Sequence, residues 1–142
     1  MRDGDISSTI RCCGVNMPIM NERRGGTRPL TAEERALCEW LIANGTPQAK
    51  SYAPQLERAI VVGYSCDCGC PSFDLAVDGK HAGGPSEIIG DAVGSSPEGL
   101  QVGVMLHCRE GLLSEVEVCP FVDANGPFRL PRPEDLTSIA HE

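Results

Sequence analysis

The sequence predicts an α+β fold in which an antiparallel β-sheet is packed by one or two N-terminal helices. Three observations predict it. A helix-start signal lies near residue 31, the apolar period changes to two from residue 60 onward, and 16 Gly with 11 Pro divide the chain into short elements. The β part is expected to form about five strands in meander-like order.

The chain of 142 residues suits a single domain with one core. Residues 1–28 are rich in Gly, Arg and Ser and show no apolar periodicity, so we expect a flexible N-terminal arm there. Residues 29–142 are expected to form the single α+β domain. Because Met17 and Met20 lie just ahead of the first helix signal, the authentic start is Met1, Met17 or Met20.

The first helix is predicted from a capping box. The Thr31 hydroxyl can accept from the backbone N–H of Glu34, whose carboxylate can accept from the N–H of Thr31. The apolar residues that follow have helical spacing and are Leu37, Cys38, Leu41 and Ile42. Asn44 and Gly45 are expected to end the helix. Cys38 is therefore expected in the core.

A second, shorter helix is predicted directly after the first. Thr46 and Pro47 form a helix start, since Pro at the first helical position loses no needed hydrogen bond. We expect this helix to reach about Tyr52 and to stop at Pro54.

The strand signals begin beyond these helices. Residues 60–66 and 72–77 have strand character, and residues 87–93 form a weaker third candidate. After residue 119, the prolines at 127, 131 and 133 favour a covering tail over a further sheet strand.

The clearest β signal is a hairpin with alternating apolar residues from 100 to 118. A three-residue loop, 109–111, ending in Gly is predicted to connect its strands. The expected register joins Cys108 to Leu112, Val104 to Val116 and Val102 to Val118. The apolar side chains then share one face, with Cys108 in the core.

Charge narrows the classes of partner. The net charge is −8, and residues 1–28 hold five Arg against three acids, so the remainder carries −10. An acidic surface disfavours nucleic acid and anionic membranes, and it complements a basic protein partner. No apolar stretch is long enough to span a membrane, and the N-terminus lacks a secretory signal, so we expect a cytoplasmic location.

Three of the eight cysteines, Cys66, Cys68 and Cys70, alternate within five residues. Without an export signal, reduced thiols or metal ligands are favoured over disulfides. A turn at Gly69 would have to bring the three sulfurs together around one zinc, and His81 is the candidate fourth ligand. The alternatives are small, semi-buried residues in a tight connection, or thiol-based redox chemistry.

Catalytic motifs are missing from the sequence. There is no nucleophile elbow, phosphate loop or dinucleotide fingerprint. His107 is expected to face outward and approach Glu115, an arrangement more typical of a surface contact than of acid–base catalysis. Cys108 and Cys119 lie on opposite faces of the hairpin and do not pair. The sequence therefore leans away from an enzyme, with no catalytic residue assigned.

Several segments carry a resemblance: 28–34, with Arg-Pro-Leu-Thr and two Glu; 68–72, Cys-Gly-Cys-Pro-Ser; and 111–118, Gly-Leu-Leu-Ser-Glu-Val-Glu-Val. Together they resemble a group of small uncharacterised bacterial proteins over residues 28–120. The resemblance implies one compact domain and bacterial origin, and carries over no catalytic residue. The N-terminal part is also similar to the product of an environmental, integron-type gene cassette.

These observations predict a small acidic binding or interaction protein that needs no cofactor. Its partner is expected to be a basic protein or a second copy, because an exposed strand edge favours a homodimer. The alternative function is a zinc-binding or thiol-reactive protein using Cys66, Cys68 and Cys70, with His81 as fourth ligand.

Overall fold

The computed structural model describes residues 26–62, 70–122, 124 and 126–139. In chain order its elements are β1 (Thr27–Arg28), α1 (Ala32–Ala43), a long 3-10 helix (Pro47–Arg58), β2 (Ala59–Val62), β3 (Phe73–Val77), β4 (Glu87–Ser95), β5 (Gln101–Arg109), β6 (Leu112–Pro120), a short 3-10 helix (Pro133–Asp135) and β7 (Leu136–Ser138). The α+β character with an antiparallel sheet is confirmed. The described sheet has seven strands, more than the predicted five.

The strand order is β1-β2-β3-β6-β5-β4-β7, and every neighbouring pair is antiparallel. The expected meander is therefore wrong. Strands β3 and β4 are consecutive in the chain but are separated in the sheet by β6 and β5. Residues 78–86, which we call the crossing loop, must pass this hairpin to connect them.

The core lies between α1 and one face of the sheet, which we call the core face. Residues of α1 contribute the helical stripe that the sequence predicted: Leu37, Cys38, Leu41 and Ile42 are all buried. Alternate residues of the central strands meet them, including Leu75, Val104, Leu106, Val116 and Val118. Burial of this apolar surface is the main favourable contribution to folding.

The capping box at the start of α1 is present. Glu34 N–H donates to Thr31 Oγ1 at 3.1 Å, and Thr31 N–H donates to Glu34 Oε1 at 2.9 Å. Arg28, at the end of the predicted arm, belongs to β1 and binds the same carboxylate. Residues 1–25 lie outside the described residues.

The second helix differs from its prediction. It has 3-10 geometry and continues from Pro47 through Pro54 to Arg58. Pro54 removes one donor, but contacts beyond it hold the chain in place: Leu56 is buried, and Gln55 accepts from the N–H of Leu113 at 2.9 Å and donates to Gly111 O at 2.8 Å. Tertiary contacts therefore override the local stop signal.

The β5–β6 hairpin has a different register from the one predicted. Its turn contains two residues, Glu110 and Gly111, with φ of 53° and 76°, and Arg109 pairs with Leu112. A bulge between His107 and Cys108 then shifts the pairing. The observed pairs are Cys108 with Leu113, Leu106 with Val116, Val104 with Val118 and Val102 with Pro120. The apolar residues of β5 still share the core face.

The C-terminal tail contributes one more strand than expected. Leu136 pairs with Gly94 and Ser138 pairs with Ala92, so β7 extends the sheet beside β4. The prolines precede this strand and leave its ladder hydrogen bonds intact. No helix within the described ranges combines the length and apolar character that crossing a membrane requires.

Candidate functional site

The face of the sheet opposite α1 carries the chemistry-bearing side chains, and we call it the polar face. Residues alternate between the two faces of a strand, so the neighbours of core residues point to this side. Cross-strand pairing places them next to one another. They are Asp74 on β3, Glu115 and Glu117 on β6, Met105 and His107 on β5, and Asp91 on β4.

A hydrogen-bonded chain of three side chains lies on this face. Ser86 Oγ is 3.0 Å from His107 Nδ1, and His107 Nε2 is 3.0 Å from Glu117 Oε1. An ionised carboxylate can only accept, so in the neutral imidazole Nε2 carries the proton and Nδ1 is left as an acceptor for the Ser86 hydroxyl. The Glu117 carboxylate therefore sets the imidazole tautomer.

The backbone fixes the positions of these three residues. His107 lies directly opposite Glu115, and the hydrogen bond to Glu117 runs diagonally to the next residue on the same face of β6. Ser86 ends the crossing loop, one residue before β4. The His107 side chain is 11% exposed and the Glu117 side chain 15%, whereas Ser86 is exposed. Ser86 is thus the most accessible of the three residues.

His107 was predicted to face outward and contact Glu115. The structure instead buries His107 under the crossing loop and bonds it to Glu117 and Ser86. The loop crosses the polar face because β3 and β4 are not adjacent. Ser86 lies 21 residues before His107, and its contribution has no local sequence signal.

One ionic contact and a pair of neighbouring carboxylates lie beside these three side chains. Arg109 Nη2 lies 3.9 Å from Glu115 Oε1, and Arg109 Nε is buried with no hydrogen-bond partner among the described residues. Glu115 pairs across the strands with Asp74, so two buried carboxylates are neighbours. Such neighbours are stabilised by the cationic groups around them.

His81 lies in the crossing loop above β3. Its Nδ1 is 2.8 Å from the carbonyl oxygen of Leu75, and its Nε2 is 3.8 Å from Asp74 Oδ2. A ring N–H that donates to a carbonyl leaves the other nitrogen as a lone-pair donor, the arrangement typical of metal-binding histidines.

Of the three clustered cysteines, Cys70 is the one that the structure describes. It is buried, and its Sγ donates to Ser72 Oγ at 3.4 Å. Ser72 in turn accepts from the N–H of Val118 at 2.9 Å. Cys66 and Cys68 lie outside the described residues, and no group of three metal-binding side chains occurs within the described part of the chain. The four-residue metal site therefore stays a prediction.

The remaining described cysteines differ in exposure. Cys38 is fully buried, and this burial raises the pKa of its thiol to about 12. Burial also raises the pKa of Cys108, against a hydrogen bond from Tyr52 that lowers it. Cys119, on the polar face, is partly exposed. Cys38 and Cys108 lie in the core as predicted, so neither is a candidate for thiol chemistry.

An apolar strip runs along the polar face beside the carboxylates. Phe121 packs its ring over Gly103, Met105 follows along β5, and Ile88 lies opposite His107. Ile88 is 40% exposed and Phe121 59%. Asp91 and Glu117 pair with Met105 from either side, so carboxylates flank the strip.

A shallow groove of about 390 Å³ separates α1 from the long 3-10 helix. Arg35 on α1 bridges it by an ion pair with Glu57 on the 3-10 helix, and it also pairs with Glu39 on its own helix. Charges that line the groove are therefore already paired with one another, and we place the candidate site on the polar face.

Comparison with known proteins adds no relative: family models, curated proteins and solved structures all fail to match this chain.

Proposed function

We propose that the protein is a binding module that docks a basic, partly apolar protein segment on its polar face. The observation that carries this proposal is the apolar strip of Phe121, Met105 and Ile88, bordered on both sides by carboxylates. Exposed apolar side chains grouped on one face are typical of interaction surfaces.

The shape of the strip supports an extended or amphipathic partner. Gly103, Met105 and His107 alternate along β5, so the strip is about 13 Å long at the usual rise per residue. A partner with apolar side chains in register could cover it. The partner would contact side chains and would not pair with a strand edge, because β5 is a central strand of the sheet.

Charge supports a basic partner over other classes. Asp91 and Glu117 border Met105, and the chain beyond residue 28 carries −10. Lys or Arg at the margins of an apolar partner segment would complement these carboxylates and speed association. The same field repels phosphate backbones and anionic lipid surfaces.

A peptide of alternating Lys and Leu is the probe, with a Glu-Leu peptide of equal length as its control. Calorimetry on the full chain should show binding of the basic peptide that weakens as salt is raised. Phe121→Ser and Asp91→Asn should each lower the affinity, the former about tenfold. Glu33→Gln, an exposed acid on α1, is the charge-matched control and should change nothing.

Binding of both peptides alike, or equal affinity in Phe121→Ser, would contradict the proposal. Sedimentation of the full chain alone tests the predicted homodimer. A dimer that Phe121→Ser dissociates would make a second copy the occupant of the strip and would overturn a basic partner in that role.

A second candidate is binding of zinc or another soft metal by the predicted set of Cys66, Cys68, Cys70 and His81. The observation that favours it is the hydrogen bond from His81 to the carbonyl of Leu75, which leaves Nε2 available to a ligand. Metal analysis of the full chain, purified under reducing conditions without chelator, should give about one zinc per chain. His81→Gln should lower that content, and a metal-free wild type would dismiss this candidate.

The predicted bacterial gene-cassette origin and cytoplasmic location belong to the same proposal. The origin rests on the resemblance of the sequence segments given above.

A further inference from the structure

We propose that Ser86 is an activated nucleophile that accepts an acyl group from small activated esters, with His107 as its general base and Glu117 as the positioning residue. This inference does not rest on the proposed binding function. It would add an ester-hydrolysing activity to a chain whose sequence contains no hydrolase motif.

The geometry has the relationships that nucleophilic catalysis needs. The nucleophile and its base are 3.0 Å apart, and the base is held by a third group, also at 3.0 Å. Both distances lie within the usual hydrogen-bond range for such sets. The assignment depends on these roles and not on the order of the residues in the chain.

The neutral His107 ring has the tautomer that a general base for Ser86 requires. Because Glu117 accepts from Nε2, the Nδ1 lone pair faces the Ser86 hydroxyl and can take its proton. The imidazolium that forms would keep its Nε2 proton on the carboxylate. The negative charge of Glu117 then stabilises the positive ring.

The three side chains differ in solvent exposure as the reaction requires. Ser86 is exposed, whereas His107 and Glu117 are mostly buried and held in place by the sheet. A Cβ built on Gly83 would meet no heavy atom within 4 Å, so the loop backbone close to Ser86 is open to an incoming molecule. Neither Gly83 nor Gly84 donates a backbone hydrogen bond to another described residue, and their N–H groups are the candidate oxyanion donors.

The reaction balances as ester plus water giving acid plus alcohol. Ser86 Oγ attacks the carbonyl carbon while its proton moves to His107 Nδ1. The tetrahedral oxyanion collapses and breaks the bond to the leaving oxygen, which takes that proton and departs as the alcohol. Water then attacks the acyl-Ser86, giving its proton to His107, and the released Ser86 oxygen takes that proton back.

A fluorophosphonate probe tests the nucleophile directly, because displacement of fluoride leaves a stable adduct on the serine oxygen. Peptide mapping of the folded full chain should find the adduct on Ser86. Ser86→Ala should abolish it, and this exposed substitution leaves the core untouched. Ser51→Ala, at an exposed serine whose hydroxyl donates to Gln48 O, is the matched control and should label like the wild type.

His107→Gln should slow labelling about 100-fold, and hydrolysis of p-nitrophenyl acetate should fall in parallel. If that variant does not fold, Glu117→Gln changes the group that positions His107. It should slow labelling without altering the circular dichroism spectrum. A folded wild type with no adduct on Ser86 overturns the proposal. So does labelling at the wild-type rate in a folded His107 or Glu117 variant.

Discussion

Arg28 and Glu34 are joined by two parallel hydrogen bonds, Nη1 to Oε1 at 2.8 Å and Nη2 to Oε2 at 2.9 Å. The pair links β1 to the first turn of α1, and the same carboxylate closes the capping box with Thr31. Burial by itself would raise the pKa of Glu34, but the hydrogen bonds from Arg28 and Thr31 outweigh it and hold this pKa below its ordinary value of 4.5.

The first prediction concerns pH. A carboxyl whose pKa is lowered by folding stabilises the protein above its unfolded pKa and loses that contribution as pH falls through the folded value. Glu34→Gln should therefore cost about 1 kcal/mol at neutral pH and progressively less below pH 4.5. Urea unfolding of the variant and the wild type at neutral pH and below pH 4.5 measures this difference. Glu33→Gln, at an exposed neighbour, is the control, and a gap that widens in acid would contradict the assignment.

The second prediction compares two threonines at helix starts. The Thr31 hydroxyl accepts from Glu34 N–H, whereas the buried Thr46 hydroxyl has no hydrogen-bond partner in the part of the chain that the structure describes. Thr31→Ala should lower the free energy of unfolding by about 1 kcal/mol. Thr46→Val, which removes an unpaired buried hydroxyl, should be neutral or stabilising. Denaturant midpoints decide, and equal losses in the two variants would refute the distinction.

The third prediction concerns Gly45, between α1 and the long 3-10 helix. A Cβ there would collide with the carbonyl oxygen of Ile89 and lie 2.7 Å from that of Leu41. Gly45→Ala should cost about 2 kcal/mol, because backbone on both sides must shift. Gly83→Ala, where a Cβ meets nothing, should stay within about 0.5 kcal/mol of the wild type. Thermal melting measures this, and equal melting temperatures of the two variants would contradict the prediction.

The fourth prediction concerns thiol reactivity. Cys38 is fully buried with a pKa of about 12, so its thiolate is scarce and shielded at neutral pH. Cys119 is partly exposed. Iodoacetamide should modify Cys119 in the folded protein and reach Cys38 only after unfolding, as read by peptide mapping. Cys119→Ser should remove the modified peptide that contains this position. Equal rates at the two positions in native protein would show that the core opens there.

Local signals were sufficient for part of the fold. The capping box of Thr31 and Glu34 and the stripe that buries Leu37 and Leu41 were predicted correctly because each depends on residues within one or two turns. The hairpin was also identified, but its register was not. Glu110 adopts a positive φ, a conformation that would be expected only of glycine, and the turn is therefore one residue shorter than predicted. The bulge at His107 then shifts the pairing of the two strands.

The candidate site was beyond such signals. Its three side chains come from the crossing loop, β5 and β6, and meet because β4 and β6 both pair with β5. No local pattern encodes that choice of neighbour, since it depends on the packing of the whole sheet. The interpretation of His107 as an outward surface residue failed for the same reason: nothing near it in sequence indicates the loop that covers it.

The strand order also sets a sequence of folding events. Strands β5 and β6 need close only a two-residue turn, whereas Phe73 must find Val116 roughly 40 residues away. Loop closure grows costlier with length, so the hairpin should form early and β3 should dock late. Stopped-flow measurements should then show that Val104→Ala slows folding while Leu75→Ala mainly speeds unfolding. On this route, Ser86 meets its histidine before β3 docks, because Ser86 directly precedes Glu87, the residue of β4 that pairs with Cys108.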